Sequence, residues 1–231
     1  MKSKNILITG GSKGIGKSLV LKFIEEGHNV FVISRSENLL KNLASNFNEN
    51  QFRYLALDLA NLEESHFINQ KIHDWEKIDV LYNNAGLLIK KPFSSLTSND
   101  FLETWKVNFL APTMLIQSLL PKLNIESHIV NITTMGAVQG SVKFPELSAY
   151  GSSKSAMVTL SEILAQEFGE NGPRINCVAL GAVQTEMFET AFPDFKAPTQ
   201  PEEMAEFLFD FGLKAHKFMN GKTVQCSLST P

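Results

Sequence analysis

The chain has 231 residues, with 21 lysines and arginines against 24 aspartates and glutamates, and therefore a formal net charge of −3. This balance, together with the lack of a long basic run, argues against a nucleic-acid-binding surface. A hydrophobic share of 43% and a charged share of 19% are typical of a globular protein. A chain of this length can bury a core large enough to fold without disulfides.

The residue pattern also argues against metal and membrane proteins. Cys177 and Cys226 have no spacing typical of a disulfide framework or a zinc site, and the five histidines show no metal-ligand spacing. No apolar stretch approaches the roughly 18 residues of a membrane-spanning helix, and the N-terminus lacks the apolar core of a signal peptide. We therefore expect one cytoplasmic domain over residues 1–231, with no metal, nucleic acid or membrane as partner.

Short aliphatic or β-branched runs alternate with longer amphipathic ones along the chain. Strands are predicted at residues 5–9, 29–34, 52–57, 79–82, 128–132, 174–179 and 222–227. Helices are predicted at residues 14–27, 37–47, 62–75, 99–120, 149–168 and 201–212. Strands that alternate with helices of this length are typical of βαβ units. The predicted fold class is α/β, a doubly wound parallel sheet of Rossmann type with helices on both faces.

The segment at residues 183–200 interrupts this alternation with phenylalanines and prolines at no regular period. Long irregular segments in compact domains are often functional lids or disordered, and we interpret this one as a substrate loop. Met187 and Phe188, with Phe144, Phe192 and Phe195, are candidates for an apolar substrate pocket. The alternative is that these side chains only pack within the loop itself.

A glycine-rich turn follows the first predicted strand, with glycines at Gly10, Gly14 and Gly16. Glycine allows positive φ and a close approach to a ligand, and the N-terminus of the following helix attracts a diphosphate. The spacing G-x-x-x-G-x-G differs from the common G-x-G-x-x-G dinucleotide motif. The turn therefore predicts a dinucleotide site, with a turn that binds no ligand as the alternative.

Five motifs in order resemble those of the short-chain dehydrogenase/reductase family, over about residues 5–187. The motif T-G-x-x-x-G-I-G begins at Thr9. It is followed by Asp58-Leu59, Asn83-Asn84-Ala85-Gly86, Tyr150-Gly151-Ser152-Ser153-Lys154 and Gly181-Ala182-Val183-Gln184-Thr185. The resemblance implies an oxidoreductase that transfers a hydride between a nicotinamide cofactor and a carbonyl or alcohol group.

The resemblance also implies four catalytic residues. Tyr150 would be the acid–base, Lys154 its neighbour one helical turn on, and Asn108 part of the proton path. An ammonium one turn away lowers the pKa of a tyrosine, so we expect Lys154 and an oxidised nicotinamide ring to share in lowering the pKa of Tyr150. Thr134 stands where the family usually has a serine, and Ser141 is an alternative source of that hydroxyl. For Asn108 the alternative is a place on the exposed edge of its helix.

Cofactor contacts are likewise carried over from the family. The positions implied are Gly10, Ser12, Lys13, Gly14, Ile15, Gly16, Arg35, Asp58, Leu59, Asn84, Ala85, Gly86, Tyr150, Lys154, Gly181, Val183 and Thr185. For Asp58 the alternative is a helix N-cap, and for Thr185 a loop hydroxyl without a ligand.

Two basic residues predict which nicotinamide cofactor is used. An NAD site places an acid near the end of the second strand, whereas this chain has Arg35 there and no acid before Glu37. Arg35 and Lys13 suit the 2′-phosphate of NADP(H), unless both are merely surface charges. The predicted cofactor is NADPH.

The sequence therefore predicts an NADPH-dependent reductase of a small apolar carbonyl compound. The residues expected to contact this substrate are Thr134, Tyr150, Met187 and Phe188. The competing hypothesis is a non-catalytic NADPH-binding sensor or scaffold on the same fold. Pairing of the helices at 99–120 and 149–168, common in the family, implies a homodimer or homotetramer.

Overall fold

The structure, a computed structural model, describes residues 2–61 and 66–228. Its strands form one parallel seven-stranded sheet with the order β3-β2-β1-β4-β5-β6-β7. The strands are β1 Asn5–Thr9, β2 Asn29–Ser34, β3 Phe52–Ala56, β4 Val80–Asn83, β5 His128–Thr134, β6 Arg174–Leu180 and β7 Thr223–Cys226. The predicted doubly wound α/β sheet is confirmed.

The connections between these strands are mostly helical. Within the described ranges the α-helices are α1 Gly14–Glu25, α2 Glu37–Ala44, α3 His66–Lys71, α4 Ser98–Trp105, α5 Ala111–Leu119, α6 Ser148–Phe168, α7 Glu186–Ala191 and α8 Pro201–Lys214. Short 3-10 turns lie at Phe93–Ser95, Leu120–Lys122, Met135–Ala137 and Ala215–Lys217.

The inner strands β1, β2, β4, β5 and β6 are buried on both faces, which explains their nearly continuous apolar sequences. Successive side chains of a strand point to opposite faces: Ile6 and Ile8 of β1 enter one core layer and Leu7 enters the other. The first layer packs under α1 and α8, where the Tyr82 hydroxyl donates to the Leu208 carbonyl at 2.7 Å. The second layer includes residues of α3, α5 and α6, such as Leu115.

The predicted helix at 99–120 is interrupted, and this corrects the sequence prediction. A π-helical turn, Lys106–Leu110, separates α4 from α5, and the Ala111 N–H bonds to the Lys106 carbonyl. The cause is Pro112, which has no N–H to donate to the carbonyl of Asn108 and whose ring would clash with it. The helix therefore widens by one residue at this point.

Two other predicted boundaries also differ. The segment predicted as an irregular loop contains the short helix α7, capped at its start by the Thr185 hydroxyl, which accepts from the Phe188 N–H at 3.2 Å. Residues 62–65 of the predicted helix at 62–75 lie outside the described residues, and α3 ends at Lys71. The cap of α7 is a hydrogen bond between residues three positions apart, and a hydrophobic pattern read over a longer stretch does not reveal it.

The strand order reverses direction at β1, which lies between β2 and β4. In open parallel sheets, ligands bind outside the carboxyl ends of the strands at such a switch point. The segments that follow β1 and β4 are the glycine-rich turn and Asn84-Ala85-Gly86. The topology thus brings two of the sequence motifs to one edge of the sheet.

Candidate active site

A cavity of about 710 Å³ lies at this edge. Its lining includes every residue that the sequence analysis assigned to cofactor or substrate: Gly10, Ser12, Lys13, Gly14, Ile15, Gly16, Arg35, Asp58, Leu59, Asn84, Ala85, Gly86, Thr134, Tyr150, Lys154, Gly181, Val183, Thr185, Met187 and Phe188. Of the four candidate catalytic residues, Asn108 alone lies outside the lining and is buried behind it.

The glycine turn needs glycine for two physical reasons. Gly10 has φ +72°, and a Cβ there would lie 2.9 Å from the Ala85 Cα atom. A Cβ on Gly16 would lie 2.3 Å from the Gly10 carbonyl oxygen. The turn therefore packs directly against the segment after β4, with its backbone exposed to the cavity.

Thr9 joins these two segments, a role that the sequence analysis missed. Its Oγ1 accepts from the N–H groups of Asn84 and Ala85, at 3.0 Å each, and donates to the Tyr82 carbonyl at 3.3 Å. The Asn84 Nδ2 returns a bond to the Thr9 carbonyl at 3.0 Å. These bonds hold the floor of the cavity rigid beside the glycine turn.

The end of the cavity beside β2 is basic and rich in hydroxyl groups. Lys13 and Arg35 are exposed and line it, and the hydroxyls of Ser12 and Ser34 lie 2.7 Å apart. Glu37, the first acid after β2, is outside the lining and pairs with Lys41 at 2.8 Å. This end of the cavity therefore suits a phosphate group.

Asp58 lies at the rim of the same cavity, in the turn after β3. Its Oδ1 accepts from the Ala60 N–H at 3.0 Å, and the Asn61 N–H bonds to the Asp58 carbonyl at 2.8 Å. The carboxylate is thus held in a tight turn at the cavity edge.

Lys154 and Asn108 converge on Gly86. Lys154 is 4% exposed, and its Nζ donates to the Ile132 carbonyl at 2.8 Å. A Cβ on Gly86 would lie 3.4 Å from the Asn108 Oδ1 and 3.6 Å from the Lys154 Nζ. Because Gly86 has no side chain, the space between the cavity, the Asn108 amide and the Lys154 ammonium stays open.

Asn108 is 1% exposed, so the alternative of an exposed helix edge is wrong. Its Oδ1 accepts from the Leu87 N–H at 2.8 Å, and its Nδ2 donates to the Leu87 carbonyl at 2.9 Å and to the Ser153 hydroxyl at 3.0 Å. The asparagine therefore connects the π-helical turn both to the segment after β4 and to α6.

The two candidate hydroxyls differ in placement. Thr134 ends β5 and lines the cavity. The Ser141 hydroxyl donates to the carbonyls of Met135 at 2.6 Å and Val138 at 2.8 Å, within its own loop, and Ser141 is outside the cavity lining.

The expected effect of Lys154 on Tyr150 is not what the structure shows. Burial raises the pKa of Tyr150 to about 12, and burial lowers the pKa of Lys154 to about 8. Both groups lose hydration, and for each of them this penalty on the charged form is the largest cause of the shift. The lowering of the tyrosine pKa expected from Lys154 is therefore corrected to a rise, and at neutral pH Tyr150 is a phenol.

Aromatic side chains cover the other end of the cavity. The lid, defined here as residues 183–200, is closed at its base, where the Gln184 N–H bonds to the Thr199 carbonyl at 2.9 Å and the Gln184 Oε1 accepts from the Ala197 N–H at 2.7 Å. Phe188 and Phe192 line the cavity and also contact each other, with ring centroids 5.2 Å apart. Further apolar residues of this wall are Leu88, Val107, Phe144, Leu147, Met187 and Phe195.

The lining also contains residues that sequence reasoning missed. Glu186 of α7 lies near the glycine turn, with its Oε2 3.5 Å from the place of a Cβ on Gly14. Ser227, after the last strand, packs so closely that a Cβ on Gly181 would lie 2.3 Å from its Oγ. No local pattern points to a serine more than forty residues away, so only the fold reveals this contact.

Two kinds of site are absent from the described part of the chain. No group of three or more histidine, cysteine, aspartate or glutamate side chains there is arranged to hold a metal ion. Over the same residues, no helix combines the length and the apolar character that crossing a membrane requires.

A parallel sheet of this order, with a glycine turn at its switch point and a buried Lys154 beside Tyr150, defines a Rossmann-type oxidoreductase. The family described as short chain dehydrogenase matches residues 4–196. The chain belongs to this family.

The similarity to individual relatives is low in sequence identity but extends over most of the chain. The uncharacterized oxidoreductase YhxC of Bacillus subtilis is 25% identical over 246 residues, covering 100% of this chain and 85% of the relative. An uncharacterized oxidoreductase of Mycobacterium tuberculosis is 29% identical, covering 91% of this chain and 64% of the relative. A short chain dehydrogenase from Shigella flexneri, solved with NADP, is 28% identical with a TM-score of 0.86, covering 96% of each chain.

Proposed function

We propose that the protein is an NADPH-dependent oxidoreductase that transfers a hydride between the cofactor and a carbonyl or alcohol group of a small apolar substrate. The observation that carries this proposal is the convergence of Lys154 and Asn108 on Gly86, in the cavity that also contains Tyr150 and the glycine turn.

The residues present fit a dinucleotide. The positive φ of Gly10 and Gly14 and the open space over Gly86 form a cradle that side chains would fill. The N–H groups at the start of α1 attract a diphosphate. When bound, the nicotinamide supplies or accepts the hydride.

Two cations support NADPH rather than NADH. Lys13 and Arg35 line the end of the cavity where the adenosine phosphate would lie, and Glu37 is engaged by Lys41. A hydrogen bond to a charged group contributes about 1.5–3 kcal/mol. Halved for exposure, two such bonds favour NADPH by about tenfold to a hundredfold.

Tyr150 and Thr134 act at the substrate oxygen. Because the pKa of Tyr150 is raised to about 12, its Oη carries a proton at neutral pH and can donate it to a developing alkoxide. The Thr134 hydroxyl, at the end of β5, donates a hydrogen bond to the same oxygen.

Lys154 and Asn108 supply charge and order. With a pKa of about 8, Lys154 is charged at neutral pH, and an ammonium near the cofactor and phenol stabilises negative charge as the proton leaves Tyr150. Asn108 bonds to Leu87 and Ser153 and holds both residues in place around Lys154. It therefore positions Lys154 without itself entering the cavity.

The substrate half of the cavity selects for apolar molecules. Its wall consists of the aromatic and aliphatic side chains named above, and Thr134 and Tyr150 supply polar groups at the reacting oxygen. The volume of about 710 Å³ must hold most of a dinucleotide as well. A small, uncharged carbonyl compound is therefore the substrate class.

A fluorescence titration with NADPH and NADH tests the cofactor assignment. We expect NADPH to bind at least about tenfold more tightly, and Lys13→Ala with Arg35→Ala to abolish the difference. Lys17→Ala, an exposed lysine outside the cavity lining, is the matched control and keeps the preference. Equal binding of both nucleotides by the wild type contradicts the assignment.

Tyr150→Phe tests the reaction. In a screen of carbonyl compounds we expect the variant to lose turnover while its NADPH affinity stays within about threefold, because only the proton donor is removed. NADPH binding without turnover by the wild type would favour the sensor or scaffold instead.

We also propose that two copies pair through α4–α5 and α6, as the family resemblance implies. Large apolar side chains are exposed on these helices, namely Leu102 at 56%, Trp105 at 41% and Ile163 at 52%. Light scattering should give a dimer or tetramer, and Leu102→Glu with Ile163→Glu should give monomers. A monomeric wild type contradicts this part of the proposal.

A further inference from the structure

Lys90 lies where three segments around the substrate half of the cavity meet. It follows the Asn84-Ala85-Gly86 floor by four residues, and Leu88, two residues before it, lines the cavity. Lys90 itself is outside the lining, so the catalytic assignments leave its role open.

The Lys90 ammonium makes three different contacts. Its Nζ donates to the Ala191 carbonyl at 3.0 Å, lies 4.6 Å from the centroid of the Phe192 ring, and pairs with the Glu146 carboxylate at 3.6 Å. Ala191 ends α7 and Phe192 begins the outer part of the lid, whereas Glu146 belongs to the loop that leads into α6. One side chain therefore connects the lid to the segment after β4, which carries Lys90, and to the loop that carries Glu146.

The other anchor of the lid is at its opposite end. Gln184 closes the base through Thr199 and Ala197, and its Nε2 donates to the Glu189 Oε1 of α7 at 2.8 Å. Lys90 holds the end of α7 that follows, at Ala191. Phe192, held on one side by Lys90, contacts Phe188 on the other, and both rings line the cavity.

We propose that Lys90 is a positioning residue that latches the lid and keeps its aromatic wall formed before substrate binds. This inference deepens the proposed function, because it concerns the substrate half of the same cavity. An ammonium is suited to the task, since it offers three N–H donors and a compact charge for a ring face. A wall that is already ordered loses less conformational entropy when a substrate enters.

Hydrogen exchange of the free protein tests the latch without any catalysis. The reporters are lid amides with hydrogen bonds inside the lid, those of Glu189, Phe192 and Phe195. Lys90→Met keeps the aliphatic stem and removes the charge and donors. We expect it to accelerate exchange of these amides about fivefold to tenfold, while amides of the central strands exchange as in the wild type.

Two further variants separate the latch from a general loss of packing. Lys90→Arg keeps the donors and the charge over the ring, so we expect lid exchange within about twofold of the wild type. Lys91→Met is the matched control, because Lys91 pairs with Asp100 at 2.8 Å and not with the lid. Its lid exchange should equal that of the wild type.

Two outcomes would overturn the proposal: lid exchange in Lys90→Met within about twofold of the wild type, or equal acceleration in Lys91→Met. Since neither cofactor nor substrate is present, a failed latch is distinguishable from a failed reductase assignment. In an active enzyme, Lys90→Met should raise KM while kcat changes little, because the groups at the reacting oxygen are untouched.

Discussion

Asn108 and Leu87 are paired as two strands would be: the amide of Asn108 accepts from the Leu87 N–H at 2.8 Å and donates to the Leu87 carbonyl at 2.9 Å. A side chain thereby satisfies both backbone groups of the residue that follows Gly86. The pairing depends on the π-helical turn that carries Asn108, and the turn in turn depends on Pro112.

Removing this amide should destabilise the protein as well as impair it. Asn108→Ala leaves the Leu87 backbone groups and the Ser153 hydroxyl short of a buried partner, and each such group costs about 1–3 kcal/mol. We expect the free energy of unfolding to fall by about 2–4 kcal/mol, measured by urea denaturation. The exposed Asn38→Ala on α2 is the control, with a change below about 0.5 kcal/mol. A stable Asn108→Ala variant would mean that the pairing contributes little.

Substitutions at Thr134 and Ser141 should decide which hydroxyl serves the reaction. Thr134→Ala removes a donor at the substrate oxygen, and loss of one such donor lowers kcat about a hundredfold to a thousandfold. Thr134→Ser keeps the hydroxyl and should retain turnover within about tenfold.

Ser141→Ala is the matched comparison, because its hydroxyl bonds to carbonyls of its own loop. Its kcat should stay within about threefold of the wild type. Steady-state kinetics with one carbonyl substrate measures all three variants. A larger loss in Ser141→Ala than in Thr134→Ala would transfer the role to Ser141.

The buried Lys154 predicts a pH dependence of stability. Its pKa is about 8 in the folded chain against 10.5 in the unfolded chain. Between these values the unfolded state binds more protons, so the free energy of unfolding rises with pH, by up to about 1.4 kcal/mol per pH unit. This contribution is complete above the unfolded pKa and is lost as the pH falls through the folded pKa.

Lys154→Met isolates this effect. Urea denaturation of both proteins at about pH 7.5 and about pH 9.5 should show the stability of the wild type rising relative to the variant by about 1–2 kcal/mol. Ionisation of Tyr150 and Cys177, whose folded pKa values are raised to about 12 and about 11, occurs in both proteins and largely cancels in the comparison. A difference independent of pH would show that Lys154 is not desolvated.

Substitutions at two glycines with similar positive φ distinguish the cost of backbone strain from the cost of steric crowding. Gly10 has φ +72° with a Cβ position 2.9 Å from Ala85, whereas Gly140 has φ +80° and nothing within 4 Å. Gly140→Ala should cost about 1–2 kcal/mol of stability from backbone strain alone and leave NADPH binding unchanged.

Gly10→Ala should cost more than Gly140→Ala and should weaken NADPH binding by at least about tenfold, because the glycine turn must move away from Ala85. Thermal denaturation and a fluorescence titration measure the two effects. Equal affinities in the two variants would contradict a dinucleotide at this turn.

Much of the architecture follows from local sequence. The alternation of apolar runs determines the doubly wound sheet, because strands and helices bury apolar side chains with different periods. The glycines at Gly10, Gly14 and Gly16 mark the ligand turn, and the spacing of Tyr150 and Lys154 places both on one helix face. These features depend on residues close together in the chain.

Tertiary structure alone decided the rest. The contacts of Lys90 with Glu146 and Ala191, and of Gly181 with Ser227, join residues far apart in sequence. The pKa of Tyr150 was expected to fall and instead rises, because desolvation depends on everything packed around a group and not on one neighbour along a helix. Sequence periodicity determines which faces are buried, and only packing determines what each buried group meets.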